Sequence, residues 1–81
     1  MSQLLAFFPK NKSEEIRLEI KDIRGKNFLD IRVHAVLEEG GEKIPTGKGL
    51  TISPSNFLDF KQALLEAESF LIKEGFLEKG A

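Results

Sequence analysis

The fold of this chain is decided by the stretch Ile20-Lys21-Asp22-Ile23-Arg24-Gly25-Lys26-Asn27-Phe28-Leu29-Asp30-Ile31-Arg32. Its two ends are rich in β-branched and apolar residues, which favour strands. Between them, Arg24, Gly25 and Lys26 have the composition of a tight turn with two positive charges. The stretch therefore predicts a β-hairpin with a basic turn.

The residues around this hairpin alternate between apolar and polar side chains. The alternation runs from Ile16 to Lys21 before the turn and from Phe28 to Leu37 after it, as in half-buried antiparallel strands. Turn residues follow at 38–42. Pro45 and Gly47 then predict an irregular edge over 43–48, before a last short strand over 49–52.

The N-terminal segment, residues 1–15, holds an apolar cluster from Leu4 to Phe8 that ends at Pro9. The cluster is short and compatible with a strand, so it predicts an edge strand or a tail docked on the core. A partner-binding tail is the alternative. The main domain is expected over residues 16–77.

A long helix is predicted at the C-terminal end. Ser53 is suited to be its N-cap and Pro54 its first residue, and Gly75 is suited to end it after about 20 residues. Its apolar stripe is too wide for one small sheet to cover. Either the helix packs against its twin in a dimer or its end projects from the domain. We expect a homodimer built on this stripe, whose interface residues would include Phe57, Phe60, Leu64, Leu65 and Leu71.

Composition restricts the classes of function. The chain has 81 residues, a net charge of -1 and no cysteine, which indicates one small domain without disulfides or thiolate metal sites. Leu4 to Phe8 is too short for a signal sequence or a membrane span. A cytoplasmic protein without membrane association is expected, with nucleoid association as an extension of that expectation.

Enzymatic chemistry is not indicated. The single histidine, His34, has no partners for a triad or a metal site, and its simplest interpretation is a strand residue with an exposed ring. The segment 46–49 looks like a phosphate loop but lacks the upstream glycine and the hydroxyl residue after Lys48. We expect no catalytic residue, no metal, no cofactor and no small-molecule substrate.

The distribution of positive charge is more informative than the total. Basic residues concentrate on the predicted strands and turns, whereas the helix leans acidic. Phe28 has the polar parity of its strand, so it is either a base-stacking residue or a core residue. The candidate nucleic-acid-binding residues are Arg17, Lys21, Arg24, Lys26, Phe28, Arg32, Lys43 and Lys48.

Four features in order resemble the single-stranded DNA-binding domain of the transcriptional coactivator positive cofactor four and its bacterial and phage relatives. They are the Arg24-Gly25-Lys26 turn, the strand 29–32, the Pro45-x-x-Lys48-Gly49 lead into a short strand, and the Ser53-Pro54 helix start. The resemblance covers about residues 16–71. It implies an α+β fold, a curved four-stranded antiparallel sheet followed by one long C-terminal helix, in a Whirly-like homodimer.

The resemblance also implies binding of single-stranded DNA, or of melted duplex, with little sequence preference, in transcription regulation, replication or recombination. Phosphate contacts would fall to Lys21, Arg24, Lys26, Arg32 and Lys48, and Asp30 would orient Arg32 or support the turn. Ile23, His34 and Ala35 stand where the family often has aromatic residues, and Gly47 where it has a basic one, so weaker binding is expected. The alternatives are a protein-interaction module of the same fold and RNA binding.

Overall fold

The computed structural model describes residues 2–78 of the chain. Four strands form one antiparallel sheet in chain order, and a 3-10 turn leads from the sheet into a single helix. The elements are β1 Ser2–Pro9, β2 Glu14–Ile23, β3 Lys26–Val36, β4 Lys43–Ile52, the 3-10 turn Pro54–Asn56 and α1 Phe57–Lys73. The predicted α+β architecture is confirmed.

The N-terminal apolar cluster forms β1, which pairs with β2 at the edge of the sheet. The register between them shifts between Leu4 and Ala6, so that Leu5 is the extra residue of a β-bulge. Beyond the bulge, Phe7 pairs with Arg17 and Phe8 pairs with Ile16. Because directly paired residues point to the same side of a sheet, Phe7 and Phe8 lie on opposite faces.

The irregular segment at 43–48 belongs to one continuous strand, β4, and is not a separate edge segment. The register with β3 shifts between Arg32 and His34. At this bulge Thr46 Oγ1 donates a hydrogen bond to the Val33 carbonyl at 2.9 Å and accepts one from the Lys48 amide at 3.1 Å. The Thr46 hydroxyl thus replaces ladder hydrogen bonds that the shifted register removes.

Helix α1 begins three residues later than predicted. Ser53 makes no side-chain capping bond to the backbone; its hydroxyl instead lies 3.0 Å from the Ser55 hydroxyl, and the first turn is 3-10. Pro54 does occupy the first position of that turn. At the other end Gly75 has a φ of +80°, as predicted for a residue that ends a helix in the left-handed region.

The core of the single chain is small. Among residues 2–78 the buried apolar side chains are Leu29, Val33 and Ile52, and α1 has none. The Cα radius of gyration is 15.1 Å, against about 12 Å for a compact domain of this length. The helix therefore extends away from the sheet and leaves two apolar surfaces uncovered, one on α1 and one on the sheet.

Candidate nucleic-acid interface

The turn between β2 and β3 is a two-residue hairpin turn with both central residues in the left-handed region. Arg24 has a φ of +54° and Gly25 a φ of +81°, the pattern of a type I′ turn. The Asp22 carboxylate accepts a hydrogen bond from the Gly25 amide at 2.9 Å. Glycine adopts this conformation freely, but for an arginine it is strained, and strained positions are concentrated at functional sites.

One face of the sheet carries the polar side chains in rows that the strand pairing defines. Each row crosses the sheet from β3 through β2 to β1, and the rows are given in order of distance from the turn. They are Lys26 and Ile23; Phe28, Lys21 and Ser2; Asp30, Glu19 and Leu4; Arg32, Arg17 and Phe7; and His34, Glu15 and Pro9. We call this surface the polar face. On β4 it continues through Thr51, Gly49, Pro45 and Lys43.

Asp30 is the centre of an ionic network on the polar face. Its side chain is 1% exposed, and its carboxylate accepts hydrogen bonds from Arg32 Nε at 3.2 Å and from Arg32 Nη2 at 3.0 Å. Lys21 Nζ lies 3.5 Å from Asp30 Oδ2. Burial acts to raise the pKa of Asp30, but the Arg32 hydrogen bonds and the Lys21 charge outweigh it and lower the pKa from its ordinary value.

Arg32 is held from both sides. Besides its bonds to Asp30, it donates from Nη1 to the Thr46 carbonyl at 3.0 Å, which ties β3 to the bulge of β4. Asp30 therefore orients Arg32, one of the two roles expected for it, whereas the turn is supported by Asp22. Most of the donor capacity of Arg32 is used within the sheet.

A second network surrounds Glu15. Its carboxylate is paired with Arg17 and lies 3.7 Å from Lys43 Nζ, and the Arg17 hydrogen bond is the main reason that the pKa of Glu15 is lowered. His34 lies beside it with Nε2 at 3.5 Å from a Glu19 oxygen. His34 is 4% exposed, so the expectation of an exposed ring is wrong: the ring is packed among the charged side chains of the polar face.

Some of the candidate cations make no ion pair within residues 2–78, whereas Arg17, Lys21, Arg32 and Lys43 all do. Arg24 and Lys26 are exposed at the turn, and Lys26 belongs to the first row of the polar face. Lys48 also lacks a partner there, but it lines a groove with Ile16, Ile31 and Leu50 of the apolar face. The structure therefore groups seven of the eight candidate residues on or beside the polar face. It places Lys48 on the opposite face of β4, in a groove that Arg32 also lines.

Two aromatic side chains belong to the polar face. Phe28 is half-buried next to Lys21, as its parity indicated. Phe7 is 60% exposed at the β1 edge, next to Arg17, and it is not among the candidate residues predicted from the sequence. The alternation of side chains along β1 could not predict the face on which Phe7 lies. The bulge at Leu5 adds one residue, so the residues after it lie on the faces opposite to those that regular alternation from Leu4 predicts.

The described part of the chain has neither a metal-binding cluster nor a membrane-spanning helix. Residues 2–78 contain no group of three or more histidine, aspartate or glutamate side chains placed to hold a metal ion. The same residues include no helix that is long and apolar enough to span a membrane.

Comparison with known proteins identifies the family. A family model described as Transcriptional Coactivator p15 (PC4) matches residues 10–63, which is more than half of the chain and includes the basic turn, the polar face of β2 to β4 and the start of α1. The chain belongs to the PC4 family. The resemblance expected from the sequence is thereby confirmed.

Solved structures similar to this PC4-family chain come from a bacterium and a phage. A PC4 homologue from Burkholderia pseudomallei, BPSL1147, is 28% identical in two crystal forms. The orthorhombic form gives a TM-score of 0.75 over 83% of this chain and 89% of that one, and the tetragonal form gives 0.77 over 84% and 98%. The bacteriophage T5 homologue of the eukaryotic transcription coactivator PC4, implicated in recombination-dependent DNA replication, is 22% identical. Its TM-score is 0.58 over 91% of this chain and 80% of that one, a likeness of fold alone. No curated protein matched the chain.

Proposed function

We propose that this PC4-family protein is a homodimer that binds single-stranded DNA without sequence preference, in transcription regulation, replication or recombination. The observation that carries the proposal is the basic turn. Arg24 and Lys26 are exposed and free of ion pairs within residues 2–78, and Arg24 is held in a strained backbone conformation. Phosphate contacts require only cations along the path of the backbone, so these two residues would provide the first contacts with a strand.

The ion pairs of the polar face define how the remaining cations would act. Arg17, Lys21 and Lys43 are bound to carboxylates but stay partly exposed, so a phosphate would compete with a carboxylate for each of them. Such competition reduces the net gain per contact. Weak binding with a large share from the turn and from base stacking is the expected result.

Dimerisation through the uncovered apolar surfaces is the second part of the proposal. Phe57, Leu64, Leu65 and Leu71 on α1 are exposed in the single chain, and Phe60 is half-buried. The apolar face of the sheet contains an open groove of about 450 Å³ lined by residues of β1 to β4 and by Phe57. Apolar surface of this extent in a monomer is characteristic of an interface. A second copy would cover both surfaces and supply the core that one chain lacks.

The decisive experiment is a titration of the protein with oligo-dT at several salt concentrations. The logarithm of the binding constant K falls linearly with the logarithm of the salt concentration. Each phosphate that the protein neutralises on a single strand adds about 0.7 to the magnitude of this slope. Replacing Arg24 and Lys26 together by alanine should weaken binding and lower the slope by about 1.4, with the fold unchanged by circular dichroism. Absence of binding by the unmodified protein at low salt would contradict the proposal.

A matched control is available on the helix. Lys61 and Lys73 are exposed, make no ion pair within residues 2–78 and lie on α1. Changing both to alanine removes the same charge as the turn variant does. If this control lowers the slope as much as the turn variant, binding depends on net charge and not on the turn.

A protein-interaction module of the same fold is the candidate from another class. The specific observation in its favour is that the strand cations already have carboxylate partners. It predicts oligo-dT binding that is weak and indifferent to the Arg24 and Lys26 substitutions. Binding of RNA through the same face is distinguished by competition between DNA and RNA strands of the same sequence.

A further inference from the structure

We infer that Phe7 is a base-stacking residue of the nucleic-acid face and that β1 extends this face to the edge of the sheet. The inference rests on the proposed function, because stacking has meaning only if a single strand lies on the polar face. It assigns to the N-terminal strand a role in ligand binding. The turn and the strands β2 to β4, which carried the candidate residues, would bind only part of the ligand.

The first argument is the position of Phe7. It pairs with Arg17 on β2, which in turn pairs with Arg32 on β3, so the three side chains form one row of the polar face. The aromatic ring thus lies beside the Arg17 side chain, whose guanidinium group can contact a phosphate next to a stacked base.

The second argument is the exposure of Phe7 on the polar face. Phe7 is 60% exposed, although it lies on a face where Asp30 and His34 are buried. Phe8 is also exposed, at 51%, but it lies on the opposite face with the apolar residues of β2 and β3, which the proposed second copy would cover. An exposed aromatic at the end of a basic row offers a π-face that every base can use.

The third argument is the distance between the two aromatic residues of the polar face. Phe28 and Phe7 are separated by two strand spacings and by four residues along the strand direction, about 10 Å across and about 13 Å along the sheet. A single strand of DNA that begins at Lys26 and passes Phe28 and Lys21 would then reach Arg17 and finally Phe7. The path is diagonal and carries cations between its two stacking residues.

The test uses the neighbouring phenylalanines as a matched pair. Phe7→Ala should weaken binding of oligo-dT by about 5- to 150-fold, since removing one stacking residue has that effect. The slope of log K against log salt should stay the same, because no phosphate contact is lost. Phe8→Ala removes the same side chain from the opposite face. The folded fraction of this variant should bind oligo-dT with the same affinity as the unmodified protein.

A fluorescence experiment keeps the inference testable if an alanine variant is unstable. The chain contains no tryptophan and no tyrosine, so Phe7→Trp and Phe8→Trp each introduce a single emitter. Oligo-dT should quench the tryptophan emission of Phe7→Trp and leave that of Phe8→Trp unchanged, and Phe7→Trp should bind at least as tightly as the unmodified protein.

The outcomes separate the inference from the proposed function. If the unmodified protein binds oligo-dT but Phe7→Ala binds equally well, or Phe7→Trp is not quenched, Phe7 is not a stacking residue and its exposure serves another contact, such as one with a protein. If the unmodified protein does not bind oligo-dT, the proposed function fails first.

Discussion

Arg32 Nη2 donates a hydrogen bond of 3.0 Å to Asp30 Oδ1, and the two residues belong to successive rows of the polar face. The carboxylate is the most deeply buried charged group of the described residues, and Lys21 approaches it from the other side. A charge in this position stabilises the sheet only while its partners are present. The polar face is therefore held together by charge, and its stability should depend on pH.

Asp30→Asn tests this dependence. Because the folded state lowers the pKa of Asp30, the carboxylate stabilises the fold at neutral pH. That contribution is complete above the pKa of the unfolded state, which for an aspartate is about 4. It is lost as the pH falls from there through the lower pKa of the folded state. The variant should lose about 2 kcal/mol of unfolding free energy at pH 7, and this loss should shrink as the pH is lowered below about 4. Urea unfolding across this range measures the effect. Glu39→Gln, an exposed loop carboxylate, is the control, and an equal loss in that variant would contradict a specific role of Asp30.

Arg24→Asn tests whether the strained turn serves ligand binding. Asparagine adopts the left-handed region more readily, so the unfolding free energy should rise by about 0.5–1 kcal/mol. Oligo-dT binding should weaken at the same time, because a free cation is removed. Arg24→Lys keeps both the charge and the strain and should change neither property much. Thermal unfolding and the oligo-dT titration are the measurements; a gain in stability with full binding would show that Arg24 is dispensable for the ligand.

Gly49→Ala tests the close approach of β4 to β3. A Cβ at Gly49 would lie 2.5 Å from the Ile31 carbonyl oxygen and 2.9 Å from the Arg32 Cα, and neither backbone atom can move without disturbing the ladder. A loss of about 1–3 kcal/mol in unfolding free energy is expected. Gly47→Ala is the matched control on the same strand, because nothing lies within 4 Å of its added Cβ. Similar losses in the two variants would refute the packing argument.

Leu64→Glu tests the proposed dimer. In a monomer the Leu64 side chain is about half exposed, so the substitution should change little. In a dimer that buries α1 it places a charge in the interface, and the mass in solution should fall from that of two chains to that of one. Analytical ultracentrifugation measures this. Gln62→Glu adds the same charge at an exposed position outside the apolar stripe and should leave the mass unchanged. An unmodified protein with the mass of one chain would rule out the dimer.

Local patterns predicted much of the fold. The alternation around Ile16 to Ile20 and the glycine of the Arg24–Lys26 turn predicted the hairpin, because strand period and turn chemistry are properties of neighbouring residues. The helix start was placed three residues early. Ser53 and Pro54 have the right composition, but the first turn is 3-10, and the Ser53 hydroxyl lies next to the Ser55 hydroxyl and makes no capping bond.

The site was less predictable than the fold. His34 was expected to be exposed and is buried beside Glu19, since the charged side chains of neighbouring strands pack over it. The ion pairs of Lys21 and Lys43 join residues nine or more positions apart in the sequence. Which cations remain free for a ligand therefore depends on strand register, which composition does not contain.

The sequence by itself determined the hairpin with its basic turn and the C-terminal helix, because each depends on residues close together in the chain. It also determined the membership of the PC4 family, because that depends on the order and spacing of motifs along residues 10–63. It left open whether the apolar cluster from Leu4 to Phe8 forms a strand. Only the tertiary structure decided that Arg24 and Lys26 lack carboxylate partners within residues 2–78, that Lys48 lies with the apolar face and that Phe7 joins the polar face. The physical reason is the pairing of strands. A one-residue bulge in β1 reverses the faces on which its side chains lie, and cross-strand distances decide which charges neutralise one another.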